Sequence, residues 1–146
     1  MLIRVNNILI FVLILCFCAE TYENICGGLF TNDHGLIASP NYPNSYSKHL
    51  FCKWNVSVAQ NHSILLVFED FYTFENDFLN VFDVSDKGLT QLGRFSGRNH
   101  PKHLISSHNK LYLNFSTESN PRKGFKIAYQ ILDHGLFSIV LKLNFI

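Results

Sequence analysis

Polar and apolar residues alternate strictly over 52–58, which places Cys52, Trp54, Val56 and Val58 on one face of an extended segment. The same period of two returns at 110–115, with Leu111, Leu113 and Phe115 on one face, and at 124–129, with Phe125, Ile127 and Tyr129. Residues 64–68 are apolar on both faces, as a central strand requires, and 77–82 and 35–38 are further strand candidates. The last of these runs into Ser39-Pro40-Asn41-Tyr42-Pro43-Asn44-Ser45-Tyr46, where prolines and asparagines exclude regular structure. No window carries a helical period. The fourteen Phe and six Tyr favour strands. Short strands with turn chemistry between them predict an all-β fold, an antiparallel sandwich of two sheets. The 146 residues suffice for one domain and not for two.

Residues 1–18 read as a secretory signal peptide. Arg4 supplies the positive charge, Ile8 to Leu15 the apolar run, and Cys16 and Cys18 the small residues before a cleavage point. The rival reading is an uncleaved anchor, for which the run falls short of the roughly 20 residues that span a bilayer. Cleavage leaves Cys26 and Cys52, and in an oxidising compartment a single disulfide is the simplest outcome, the alternative being two free thiols. Three N-x-S/T sequons fit the same compartment, at Asn55, Asn61 and Asn114. Asn55 and Asn114 fall on faces opposite Trp54 and Phe115, and Asn61 lies in a polar turn, so all three are expected to face solvent.

Charge narrows the function. The net charge is +1 with 16% charged residues, and no basic–aromatic patch is present, so nothing points to nucleic acid. The seven His lie mostly in turns; none forms a His-Glu-x-x-His pattern, and no Gly-x-Ser-x-Gly or phosphate-binding motif occurs. His100 and His103 are spaced to approach a zinc ion, a weak signal by itself. Catalysis is not expected. The segment 132–146 is very apolar but interrupted by Lys142 and too short to span a membrane; an edge strand, a partner-binding segment and a truncated continuation stay open.

Eight blocks in order resemble the CUB domain family. They begin with Cys26-Gly27-Gly28-Leu29, the stretch from Gly35 to Tyr46, and Cys52-Lys53-Trp54-Asn55-Val56. They continue with Phe68-Glu69-Asp70-Phe71, Asp77-Phe78-Leu79-Asn80-Val81, Leu92-Gly93-Arg94-Phe95-Ser96-Gly97, the stretch from Ile105 to Leu111, and Gly124-Phe125-Lys126-Ile127-Ala128-Tyr129. The resemblance implies a jellyroll-like sandwich over residues 26–131 and a Cys26–Cys52 disulfide. It also implies a second disulfide, both of whose ends are missing here: Ser96 stands at one, and the segment from Phe71 to Asp77 is too short for the other. Many members that it resembles bind calcium at one end of the sandwich and use that site to dock a basic residue of a partner. Asp77 matches the central ligand, Tyr46 its support, Glu118 the late acidic position, and Glu75 lies beside the first. Calcium takes six to eight oxygen ligands. Either these carboxylates converge on the ion, or Glu75, Asp77 and Glu118 are ordinary solvated loop residues.

Two functions remain. One is an autonomous secreted module that recognises an extracellular protein or glycan, with no membrane span in the mature chain. The other is a non-catalytic CUB fragment of a larger modular extracellular protease or receptor.

Overall fold

The computed structural model describes residues 26–133. The expected signal peptide and most of the apolar tail lie outside these residues. Among the described residues there are nine strands: β1 (Gly27–Phe30), β2 (His34–Ala38), β3 (Phe51–Ser57), β4 (His62–Tyr72), β5 (Phe78–Ser85), β6 (Gly88–Phe95), β7 (His103–Ile105), β8 (Lys110–Ser116) and β9 (Gly124–Asp133). They form a five-stranded sheet in the order β1-β3-β8-β5-β6 and a four-stranded sheet in the order β2-β9-β4-β7. Pairings are antiparallel except that β1 runs parallel to β3. This is the two-sheet sandwich that the alternation predicts.

The core lies between the sheets and is filled by the predicted faces. Cys52, Trp54, Val56, Leu111, Leu113 and Phe115 are buried from one sheet; Ile64, Leu66, Phe125, Ile127 and Tyr129 from the other. Aromatic edges meet across the gap, with Trp54 and Phe115 each against Phe125 at centroid distances of 5.7 and 5.1 Å.

Strand β4 runs well beyond the apolar window 64–68. A bulge between Phe68 and Asp70 inserts an extra residue, so the inward phase shifts from 64, 66 and 68 to Phe71. Glu69 stays outward, where it pairs with Lys126 at 2.7 Å, and the bulge brings Asp70 outward as well. Strand β9 continues through Leu132 and Asp133, so these two tail residues belong to the sheet.

Strands β1, β6 and β7 carry no alternation in sequence, and each is an edge strand with mostly exposed side chains. Gly27 explains why β1 can sit so close to β3. At its φ of 111° an added Cβ would lie 1.7 Å from the Lys53 carbonyl oxygen. The Cys26–Cys52 disulfide forms beside this contact, with Cα atoms 4.7 Å apart.

Candidate functional site

The loop from Ser39 to Leu50 has little backbone pairing of its own, and Tyr46 anchors it to one end of the sandwich. The Tyr46 amide donates to the Arg122 carbonyl at 3.2 Å, and its ring meets the Phe115 edge at 5.1 Å. Its hydroxyl donates to Asp77 Oδ2 at 2.6 Å and accepts from the Phe74 amide at 2.9 Å. Burial, and then the hydrogen bond to the Asp77 carboxylate, push the Tyr46 phenol well above its ordinary value.

Asp77 ends a tight turn in which its amide donates to the Phe74 carbonyl at 3.0 Å. Its side chain is fully buried, and the second oxygen, Oδ1, accepts from the Glu118 amide at 2.8 Å. One buried carboxylate is therefore capped by a phenol and a backbone amide from two other segments.

The structure brings Tyr46 and Asp77 into direct contact and supplies Glu118 through its backbone. The side chains of Glu75 and Glu118 are exposed. Among the described residues no group of three or more His, Cys, Asp or Glu is placed to hold a metal ion. Calcium takes six to eight oxygens, and at this point the structure gathers one buried carboxylate, each of whose oxygens accepts one protein hydrogen bond.

Thr73 was not singled out in the sequence, yet it ties this turn to the segment after β6. Its hydroxyl donates to the Asp77 carbonyl at 3.0 Å and accepts from the Gly97 amide at 2.9 Å, while its amide donates to the Gly97 carbonyl at 2.9 Å. These bonds join the two segments that the family's second disulfide would join, one residue from Ser96. A Thr set between two aromatic residues, Tyr72 and Phe74, was the available signal.

The same end carries two arginines beside the exposed carboxylates of Glu75 and Glu118. The Arg98 guanidinium lies 4.0 Å from the Tyr72 ring centroid, and Arg122 lies over Phe74 at 5.3 Å. Beside it, Lys123 bonds the Asp70 carboxylate, which also accepts from the Tyr42 hydroxyl at 2.7 Å. These two bonds, Lys123 first, hold Asp70 below the ordinary carboxylate range.

The opposite end holds a polar cleft of about 750 Å³, lined among others by Asn61, His62, Lys87, Ser107 and His108. Beneath it Asp83 is buried, and its Oδ2 accepts from the Ser107 amide at 2.8 Å and faces His108 Nδ1 at 3.1 Å. Of the histidines considered for zinc, His100 stacks on Phe68 at 5.6 Å and so belongs to the edge of the core. His134 lies outside the described residues. Of the sequons, Asn55 and Asn61 are exposed, and Asn114 is half-buried.

The CUB domain family model matches residues 26–129. The chain belongs to the CUB domain family. Human cubilin is 40% identical over 122 residues, which cover 80% of this chain and 3% of cubilin. Bone morphogenetic protein 1 of Xenopus laevis is 33% identical over 114 residues, covering 74% of this chain and 16% of that protein. The chain therefore spans a small fraction of these curated relatives. Among solved structures, the second CUB domain of MASP-1 bound to calcium superposes with a TM-score of 0.64 at 26% identity, covering 72% of this chain and 98% of that one. The extracellular region of zebrafish Gpr126 gives 0.65 at 26% identity, covering 74% and 15% of the two chains.

Proposed function

We propose that the chain is a secreted, non-catalytic binding module that recognises an extracellular protein or glycan without calcium. The observation that carries this is the closure of the Asp77 end by the chain's own donors. Where MASP-1 CUB2 is a calcium-bound relative, this domain offers one carboxylate already satisfied by Tyr46 and the Glu118 amide. Arg98 and Arg122 share this end with the exposed carboxylates of Glu75 and Glu118, so it offers both signs of charge to a partner. Secretion rests on the leader-like residues 1–18, the Cys26–Cys52 disulfide and the sequons.

The second reading, a CUB unit of a larger modular extracellular protein, draws on the relatives. Cubilin and bone morphogenetic protein 1 carry their matching segment as 3% and 16% of their length.

Expression of the full chain in a eukaryotic secretory host tests the first reading. The protein is expected in the medium, beginning after Cys18, and its partners are expected to be captured from extracellular fluid equally in calcium and in chelator. Retention in the cell would overturn secretion, and capture abolished by chelator would overturn calcium independence.

A further inference from the structure

The outer face of the five-stranded sheet is more aromatic than a solvent face should be. In an antiparallel sheet packed on one side, the other side is ordinarily polar. Here Phe51 is 57% exposed, and Phe82 and Tyr112 sit together on the outer face with ring centroids 5.9 Å apart. Between these two aromatic sites runs a polar row across the strands, formed by Lys53, Asn114, Asn80 and Arg94 in register.

Two of the three sequon asparagines belong to this face. Asn55 on β3 pairs directly with Tyr112 on β8, and Asn114 lies two residues along β8 from the same ring. Paired residues share a face, and a spacing of two along a strand is about 6.8 Å, so Tyr112 stands between the two acceptors. The Asn114 Oδ1 accepts from Asn80 Nδ2 at 2.9 Å, a bond compatible with a sugar on Asn114 Nδ2. Asn61 is apart from this arrangement, in the turn between β3 and β4 at a φ of 65°.

We propose that the chain's own N-linked glycans at Asn55 and Asn114 lie on this face and cover it, with Tyr112 as their common platform. In the transfer, asparagine Nδ2 bonds to C1 of the first sugar of a polyprenyl-pyrophosphate-linked oligosaccharide. The C1–O bond breaks, the pyrophosphate leaves, and the amide loses one proton. The apolar C–H face of the attached sugar then packs on the Tyr112 and Phe82 rings, while its hydroxyls and acetamido group face Lys53, Asn80 and Arg94. The sheet thus receives from its glycans the cover that a partner or a third layer gives elsewhere. This rests on the reading that the chain is secreted and glycosylated.

The test uses the full chain from a eukaryotic secretory host. Peptide mapping first establishes occupancy at Asn55, Asn61 and Asn114; three unmodified asparagines would overturn the glycosylation reading and this inference with it. With Asn55 and Asn114 occupied, sugar protons are expected to be shifted upfield by the aromatic rings in NMR spectra. Tyr112→Thr, which leaves both sequons intact, is expected to abolish that shift. Removing the glycans from folded protein with an amide-cleaving glycosidase is expected to raise binding of an apolar dye and to lower the melting temperature by about 4 °C. Asn61→Gln is expected to change neither. Occupied sites with no upfield shift and no change in dye binding would overturn the cover while leaving glycosylation standing.

Discussion

Tyr46 Oη donates to Asp77 Oδ2 at 2.6 Å across 31 residues of sequence, and so fastens the loop before β3 to the turn before β5. The same hydroxyl accepts from the Phe74 amide, so a single oxygen satisfies a buried carboxylate and a backbone donor together. Tyr46→Phe removes it and keeps the ring. Leaving buried polar groups without partners costs about 1–3 kcal/mol, and chemical denaturation is expected to show a loss in that range. An unchanged midpoint would mean that the contact contributes nothing to folding.

Calcium is expected to leave stability unchanged. An ion that binds only the folded state at a hundredfold excess over Kd would raise stability by about 2.7 kcal/mol. Thermal melts in millimolar calcium, magnesium and chelator at matched ionic strength are expected to coincide, because Asp77, among the described residues the one buried carboxylate at this end, is already held by two protein donors. A melting temperature raised by calcium alone would refute the closed-end reading.

Alkali is expected to weaken the domain through Tyr46. Its phenol is held above the ordinary value of 10.0, chiefly by burial and then by Asp77. A group whose folded value is raised contributes stability that is complete below the unfolded value and is lost as the pH climbs from there towards the folded one. Stability from this source should therefore be complete below pH 10.0 and decline above it. The decline should be shallower in Tyr46→Phe, as followed by denaturation midpoints in a pH series. Parallel slopes for the two proteins would assign the loss elsewhere.

Thr73→Val tests the hydrogen-bonded link that stands where the second disulfide is missing. The substitution keeps the side-chain shape and removes the hydroxyl that serves the Asp77 carbonyl and the Gly97 amide. A loss of about 1–3 kcal/mol is expected, with faster hydrogen exchange at Gly97. Exchange at Gly97 as slow as in the native protein would show that the Thr73 hydroxyl does not hold this link.

The Cys26–Cys52 bond closes a loop with a sequence separation of 26, worth about 3.5 kcal/mol in the chain-entropy model. Cys26→Ser is expected to lose roughly that amount, a large share of the 5–15 kcal/mol typical of a domain. Peptide mapping without reduction should recover the two cysteines linked. Both thiols alkylatable in folded protein would remove the basis for this loss.

Whatever depends on local period was legible in the order of the residues. Alternation at 52–58, 110–115 and 124–129 named the buried faces correctly, because side chains on a strand point to opposite sides whatever lies beyond. The sandwich class, the pairing of Cys26 with Cys52 and the outward face of Asn55 were legible for the same reason or through the family blocks. Register and backbone donors, by contrast, are settled by how distant segments come together. That Asp77 is capped by a phenol and an amide, and not by other carboxylates, is set by where Tyr46 and Glu118 arrive from distant segments. Thr73 and Asp83 gain their roles in the same way, and the edge strands β1, β6 and β7 exist because neighbours offer them unpaired backbone, not because their side chains alternate. The gathering of Asn55, Asn114 and Tyr112 on one patch follows from the pairing of β3 with β8, a long-range fact that no local pattern of residues encodes.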